Sequence, residues 1–357
     1  MIHNLIFIIF LVGSIQYSFQ LSIMSSNAVD LKDTVWTPLR VLRDTQDPAT
    51  LCISTSKSPR LAKDEPYAKA VLKAWRYESK SKTWSTNDSE SVGAPFTYQR
   101  KEDGEIFNGY LVVPSKLVKT VQRGTVPVVI LFHTGAGPQD IFLKWKADAL
   151  VQKLQCAVLI ADIISDGEGY AWSDRKRYEV ARRNVLTAYA GKGKTARWKL
   201  RQTISAALNF LRNIDFIDAD KMAGLGWCMG GHPILELALM QEDCVKSLVS
   251  YHGMLDGVKD HLDKACIDSK LMGSTTRVLI CNGKKDPFVL QDDIEVTRKY
   301  LESSQGCNVH IMNFDGVKHG FTNPAQDFNP SDAFAYDENA ANLSWESTIN
   351  LLRETIF

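Results

Sequence analysis

Met222-Ala-Gly-Leu-Gly-Trp-Cys-Met-Gly-Gly-His-Pro-Ile-Leu-Glu-Leu-Ala-Leu239 joins a short apolar run, a group of glycines around one cysteine, and a helical pattern. This order predicts a β-strand, a sharp turn and an α-helix, with Cys228 at the turn. Gly226 and Gly230 flank Cys228 at the spacing of a nucleophile elbow, where strand and helix nearly touch and small residues are required. The free N–H groups at the start of the helix favour a thiolate. The stretch therefore predicts a nucleophilic cysteine.

Strand-like and helical segments alternate on both sides of this stretch. Strand patterns fall at 96–99, 110–113, 126–132, 157–161, 246–250, 277–281 and 308–312. Helical patterns fall at 66–77 and 196–211, around Ile141, Trp145 and Leu154, and in a closing segment with Trp345, Ile349 and Leu352. Such alternation predicts an α/β fold, a doubly wound and mostly parallel sheet with helices on both faces. Ligands of these sheets bind beyond the carboxyl ends of the strands.

Three chemically capable residues follow three predicted strands. They are Cys228 at the elbow, Asp286 in Asn282-Gly-Lys-Lys-Asp-Pro-Phe288, and His319 in Val317-Lys-His-Gly-Phe-Thr-Asn-Pro324. Nucleophile, acid and histidine in this order are typical of the α/β-hydrolase fold. The histidine would deprotonate the thiol and the carboxylate would orient the imidazole. Three other aspartates are alternatives for the acid: Asp292, Asp293 and Asp315.

Acyl transfer also requires N–H donors for the oxyanion. The backbone N–H of Met229 follows the nucleophile, and we expect the second donor from the loop 133–137, with Gly135 as the choice. Candidate pocket residues are His133, Thr134, Trp227 and His252. For the two histidines, a structural role is an equal alternative.

Four motifs together resemble the dienelactone hydrolase family over about 96–357. They are Gly109-Tyr-Leu-Val-Val-Pro114, the cysteine elbow, Gly283-Lys-Lys-Asp-Pro287 and His319-Gly-Phe-Thr-Asn-Pro324. The resemblance implies a triad of Cys228, His319 and Asp286, no cofactor, and hydrolysis of a small ester or lactone through an acyl-cysteine. A hydrolase-fold protein that binds a small ligand or partner without turnover is the alternative.

Two residues of the dienelactone-cleaving members are missing. Thr134 occupies the position of a glutamate that helps to generate the thiolate, and no arginine follows His319 to bind a substrate carboxylate. Arg175 or Arg177, in the charged segment 165–194, is a possible replacement for that arginine. This segment is expected to form a cap or loop near the pocket, or a solvated helix face.

Two nucleotide-binding interpretations fit less well. Gly224-Leu-Gly-Trp-Cys-Met-Gly230 resembles a dinucleotide fingerprint, but the acid at Asp243 precedes the next strand instead of ending it. Gly193-Lys-Thr195 resembles a phosphate loop, but the required first glycine is Ala188.

Composition limits the class of partner. The chain of 357 residues has 42 basic and 41 acidic residues, a balance that argues against nucleic-acid binding. Its seven cysteines include no C-x-x-C pair and its histidines no H-x-x-x-H pair, so we expect neither a disulfide framework nor a metal site. We expect a small-molecule substrate, no membrane span, and a monomer or weak homo-oligomer.

The start of the chain contains a possible targeting segment. The 11 apolar residues 5–15 are too few to span a bilayer, which takes about 20, but suit a signal peptide within 1–20. A secretory or organelle destination is slightly favoured, and a cytoplasmic product starting at Met24 is the alternative. Residues 21–94 are interpreted as a partly irregular extension, and 95–357 as the hydrolase-like domain.

Overall fold

Strands and helices alternate along the chain, as the sequence pattern predicts. The computed structural model describes residues 29, 31, 33–51, 64–80, 90–118, 124–164, 169–170, 175–186, 197–262 and 275–357. Its strands are β1 (Thr37–Pro38), β2 (Ser91–Gln99), β3 (Ile106–Pro114), β4 (Val126–Phe132), β5 (Ala157–Ala161), β6 (Ile217–Trp227), β7 (Val245–Tyr251), β8 (Arg277–Gly283) and β9 (Asn308–Phe314). Its α-helices are α1 (Leu39–Arg43), α2 (Asp64–Ser79), α3 (Ile141–Leu154), α4 (Arg175–Leu186), α5 (Trp198–Arg212), α6 (Gly231–Met240), α7 (Gly257–Leu262), α8 (Gln291–Gln305) and α9 (Glu338–Ile356). Short 3-10 helices cover Pro48–Leu51, Cys228–Gly230 and Pro324–Phe328.

The strands form one sheet in the order β1-β2-β3-β5-β4-β6-β7-β8-β9. Strands β4 to β9 pair in parallel, whereas β1, β2 and β3 join antiparallel. Every residue of β4 and β5 is buried, as expected of strands covered on both faces. The predicted doubly wound, mostly parallel sheet is confirmed, and it brings the carboxyl ends of β4, β6, β7 and β8 to one edge.

Two hydrophobic cores lie on opposite faces of this sheet. One core contains the apolar sides of α5, α6 and α8, and the other contains those of α2, α3 and α9. Helix α5 shows the cause, since Leu200, Ile204, Leu208 and Leu211 are buried at helical spacing. The prediction of helices on both faces is confirmed.

Part of the N-terminal extension packs into the second core. Helix α2, predicted over 66–77, buries Val71, Leu72 and Trp75. The Trp75 indole also donates a buried 2.7 Å hydrogen bond to Asp148 on α3. Strand β1 pairs with β2 at the edge of the sheet. The division of the chain at residue 94 stays an interpretation, but α2 belongs to the packed structure.

Strand β2 begins earlier than its sequence pattern indicates. We expected a strand at 96–99, whereas β2 starts at Ser91 and runs through Pro95. A proline has no N–H to donate, so it is tolerated where a strand has no neighbour on that side. Strand β1 pairs only with Val92 and Gly93, which leaves Pro95 at an open edge.

Several expectations concern residues outside the described part of the chain. The predicted signal segment 1–20 and most of the charged segment 165–194 lie there, apart from Gly169, Tyr170 and helix α4. Among the helices that are described, none has the length and apolarity to cross a membrane.

Candidate active site

The predicted elbow is confirmed as strand, sharp turn and helix. Strand β6 ends at Trp227, a 3-10 turn follows at Cys228–Gly230, and α6 starts at Gly231. The backbone of Cys228 has φ +53°, a left-handed conformation that is rare for a residue with a Cβ atom. Such strain is typical of residues held in place for function. Cys228 is half-buried, while the other described cysteines are fully buried.

The elbow glycines allow this turn because no side chain fits there. A Cβ atom on Gly226 would lie 2.1 Å from the carbonyl oxygen of Gly230, and one on Gly230 would lie 2.4 Å from that of Phe132. Both neighbours are backbone atoms, which a side-chain rotation cannot move away. The glycines therefore let α6 start directly against the ends of β4 and β6.

His319 and Asp286 form a buried pair. The Nδ1–H of His319 donates to Oδ2 of Asp286 over 2.7 Å, and both side chains are almost fully buried. The other oxygen of Asp286 accepts hydrogen bonds from the backbone N–H groups of Phe288 (2.8 Å) and Val289 (3.1 Å). These bonds fix the carboxylate, which in turn fixes the tautomer and orientation of the imidazole.

The three alternative aspartates have other surroundings. Asp315 pairs with Lys284 over 2.7 Å and is mostly exposed. Asp293 pairs with Lys259, and both Asp292 and Asp293 lie in the first turn of α8. Asp286 is therefore the predicted acid whose carboxylate contacts His319.

The charges around His319 favour its protonated form. Burial lowers the pKa of His319, but the negative charge of Cys228, hydrogen bonds to Asp286 and Cys228, and the charge of Asp286 together outweigh it. The net result raises the pKa of His319 to about 10. Cys228 therefore lies close enough to His319 to influence the pKa of its imidazole.

Aromatic rings hold the imidazole of His319. Phe288 and Phe334 each contact it edge-on, with ring centroids 5.1 Å away. His252, one of the predicted pocket residues, lies 4.6 Å away, and its Nε2 is 3.3 Å from the hydroxyl of Thr322. Burial first, and then the charge of His319, lower the pKa of His252 well below its usual value. The surroundings thus favour the neutral form of His252 and the protonated form of His319.

The loop after β4 carries the predicted second oxyanion donor. Gly135 lies in a tight turn in which the N–H of Gly137 donates to the carbonyl of Thr134 over 3.1 Å. The Thr134 hydroxyl accepts from the N–H of Ala136, also over 3.1 Å, so that it stabilises the turn. Met229 lies in the first turn after β6, where N–H groups have no acceptor within the helix.

Two predicted pocket residues make structural contacts. The Nδ1–H of His133 donates to the carbonyl of Thr134 over 2.6 Å, and its Nε2 accepts from the N–H of Ile163 over 3.2 Å. Trp227 is buried in the core and stacks on Tyr251 with ring centroids 4.9 Å apart. Both residues support the loops and strands around the site.

Helix α4 adds a residue that the sequence did not indicate. Tyr178 packs on the oxyanion loop, since a Cβ atom on Gly135 would lie 2.9 Å from its ring. Burial and the negative charge of Cys228 raise the pKa of Tyr178. Arg182 joins this helix to the elbow region, with contacts of 3.3 Å to His232 and 3.4 Å to Asp256. The signal in the sequence was weak because half of the residues of α4 are charged.

A cavity of about 410 Å³ lies on the other side of α4. Its lining is mixed basic and apolar: Arg100, Glu105, Phe107, Ile163, Ile164, Tyr170, Lys176, Arg177, Val180, Ala181, Asn184, Val185, Lys199 and Thr203. Cys228 is not among these residues. Arg177, which we considered for binding a carboxylate, faces this cavity and lies over the ring of Tyr170. Arg175 opens α4, but its side chain is outside the described part of the structure.

Clusters of three or more His, Cys, Asp or Glu side chains that could hold a metal ion are absent from the described ranges.

Comparisons with known proteins point to one family. A sequence model of the dienelactone hydrolase family matches residues 107–356. An uncharacterized protein of Caenorhabditis elegans is 26% identical over 156 residues, which are 44% of this chain and 94% of that protein. A Bradyrhizobium protein described as a probable 2-oxo-3-(5-oxofuran-2-ylidene)propanoate lactonase is 24% identical over 239 residues, 66% of this chain and 87% of that protein.

Solved structures share the fold. The protein m3DLH superposes with a TM-score of 0.60 at 23% identity, covering 75% of this chain and 99% of its own. A dienelactone hydrolase-like promiscuous phosphotriesterase from metagenomic libraries gives a TM-score of 0.58 at 22% identity, with the same coverage.

Proposed function

The chain belongs to the dienelactone hydrolase family, as its motifs predict, and on this basis we propose that it hydrolyses a small ester or lactone through an acyl-cysteine on Cys228. The observation that carries the proposal is the 2.7 Å hydrogen bond between His319 and Asp286, and it is supported by the influence of the elbow cysteine on the pKa of the same imidazole. His319 acts as base and acid, and Asp286 orients it.

Acylation starts from the pair in which the Sγ proton of Cys228 has already passed to His319, the protonated form that the charges around the imidazole favour. The thiolate attacks the carbonyl carbon, and the N–H groups of Met229 and Gly135 bind the oxyanion. The tetrahedral intermediate then collapses, and the C–O bond to the alcohol breaks. His319 gives its proton to the departing alkoxide, which in a lactone remains attached to the acyl group.

Deacylation uses the same imidazole in its neutral form. The charge of Cys228 is the largest contribution that raises the pKa of His319, and acylation removes that charge. The pKa of His319 therefore falls in the acyl-enzyme, and a neutral imidazole becomes available to deprotonate water. The hydroxide attacks the thioester, the C–S bond breaks, and the acid leaves.

Side chains around the site favour an apolar group next to the reacting carbonyl. The exposed face of Phe288, the ring of Phe334 and the ring of Tyr178 surround the catalytic side chains. Because Thr134 stands where the dienelactone-cleaving members have a glutamate, and no arginine follows His319, dienelactone itself is only one candidate substrate among several esters and lactones. An unsaturated five-membered lactone should be among the first substrates tested, because the Bradyrhizobium relative is described as a probable lactonase of such a compound.

The test is intact-mass spectrometry after incubation with p-nitrophenyl acetate. We expect an added acetyl group and release of p-nitrophenol with the wild type, and neither with Cys228→Ala. Undiminished hydrolysis by Cys228→Ala would refute the acyl-cysteine mechanism. An absence of turnover by the wild type across a broad panel of esters and lactones would favour a binding protein.

A further inference from the structure

Helix α2 is tied to the family-type domain although it precedes the matched region 107–356. Three side-chain hydrogen bonds join it to α3: Tyr67 to Asp140 at 2.7 Å, Trp75 to Asp148 at 2.7 Å, and Trp145 to Glu78 at 2.8 Å. Two of these bonds lie along the bodies of the helices. The bond between Tyr67 and Asp140 lies at the N-terminal end of α3, which follows the loop 133–137 with the proposed oxyanion donor.

The hydroxyl of Tyr67 connects two loops of the candidate active site. It donates to the carboxylate of Asp140, whose oxygens are 2.7 and 2.9 Å away. It also accepts from the amide Nδ2 of Asn323 over 2.9 Å. Both partners are buried, whereas Tyr67 is half-buried.

Asp140 belongs to the loop that carries the oxyanion donor. Its carboxylate caps α3 by accepting from the N–H of Phe142 over 3.1 Å. Its own N–H donates to the carbonyl of Gly137 over 3.3 Å, and Gly137 in turn bonds to Thr134. Gly135 therefore lies in a short chain of bonds that ends at Tyr67.

Asn323 belongs to the loop that carries the histidine. Its backbone N–H donates to the carbonyl of Gly320, the residue after His319, over 3.0 Å. Its side-chain oxygen accepts from the N–H of Ala325 over 3.0 Å, which orients the amide so that Nδ2 faces Tyr67. A movement of Tyr67 would thus act on both loops together.

We propose that Tyr67 is a positioning residue, which sets the imidazole of His319 relative to the oxyanion donor Gly135 and so gives the N-terminal extension a role in turnover. The inference rests on the proposed hydrolase function. The spacing of these two groups matters only when both act on one transition state, and a misplacement of about 1 Å can cost about 100-fold in rate.

The test is Tyr67→Phe in the full chain, which keeps the ring and removes only the hydroxyl. We expect kcat and kcat/KM for p-nitrophenyl acetate to fall together by about 10-fold with KM nearly unchanged, because the lost interaction acts in the transition state. Asn323→Ala breaks the same link from the other side and should lower kcat in the same way. The loss of kcat in the double variant should be smaller than the product of the two single losses, since both changes remove the same bond between Tyr67 and Asn323.

Glu78→Ala is the matched control. It removes the contacts of Glu78 with Trp145 and Lys153 and so loosens α2 without touching Tyr67. Its kcat should equal that of the wild type at a temperature where all variants are folded. An equal loss of kcat in Glu78→Ala would overturn the proposal, because general loosening of α2 would then explain the effect.

The outcomes separate the inference from the function on which it rests. Turnover that depends on Cys228 but is unchanged in both Tyr67→Phe and Asn323→Ala refutes the role of Tyr67 alone. Should Tyr67→Phe not fold, Asn323→Ala decides. A wild-type chain without turnover that depends on Cys228 refutes the hydrolase function, and with it this role.

Discussion

The left-handed backbone of Cys228 predicts that this position is strained in the folded protein. With φ +53°, a Cβ atom approaches the following carbonyl oxygen, which costs roughly 1–2 kcal/mol relative to glycine. Two variants isolate this cost. Cys228→Ala keeps the Cβ atom and Cys228→Gly removes it, while both lose the thiol and its contacts with His319.

The difference in stability between the two variants is therefore a measure of backbone strain. The glycine variant is free of the backbone strain of about 1–2 kcal/mol in the folded state. Its unfolded chain is more flexible, however, and this reduces its advantage in stability by about 0.4–1 kcal/mol. We expect Cys228→Gly to be more stable than Cys228→Ala by about 1 kcal/mol, roughly a fivefold change in the unfolding equilibrium.

Urea unfolding followed by tryptophan fluorescence measures this difference. Ala341→Gly in α9 is the control, because the same loss of a Cβ atom in a helix should destabilise by about 1 kcal/mol, the opposite sign. If Cys228→Ala is as stable as Cys228→Gly, the elbow is not strained and the reasoning fails.

Three more predictions follow from the same geometry. Asp286→Asn removes a charge and a hydrogen-bond acceptor that raise the pKa of His319. In the pH profile of the rate at which iodoacetamide alkylates Cys228, the alkaline limb should therefore move to lower pH, and kcat should fall by about 10²- to 10⁴-fold. An unchanged pH profile would contradict the assignment of Asp286. Gly226→Ala should destabilise the protein by about 1–3 kcal/mol or more in urea unfolding. Gly224→Ala on the same strand should destabilise it clearly less, because its added methyl group would meet only side-chain atoms, those of Leu248, Ile234 and Leu237. Equal effects would show that the elbow can relax. Burial raises the pKa of Asp148 from 3.8 to about 6, so its charge costs stability above pH 6 and nothing below the pKa of the unfolded chain. Asp148→Asn should therefore stabilise the protein by at most about 3 kcal/mol at pH 7 and lose this gain as the pH falls to 4. A gain that does not depend on pH would rule out this cause.

Local chemistry made the elbow, the strands and the order of the candidate triad predictable. Glycines next to a turn, continuous apolar strands and residues just after strand ends each reflect a constraint that acts within a few residues. Asp286 could be selected because its loop follows β8 directly, and its contact with His319 spans only two neighbouring parallel strands.

Other residues of the site depended on contacts that a sequence pattern does not contain. Trp227 directly precedes Cys228, yet it stacks in the core, because the last residue of a strand and the first of a turn point in different directions. For His133 the sequence left a pocket role and a structural role open, and its bond to Ile163, which connects two loops, is a contact that no local pattern indicates. Tyr67 and Asn323 are separated by 256 positions, and no local pattern relates them.

The burial of α2 against α3 bears on the smallest part of this chain that can fold by itself. The stretch shared with the family starts at Phe107, but the second core also contains Val71, Leu72 and Trp75. A protein trimmed to the shared stretch would lack β2, which pairs with β3 along its whole length, and would expose the apolar side of α3 to water. The stretch that matches the family is thus shorter than the unit we expect to fold by itself, which also includes α2 and β2 on its N-terminal side.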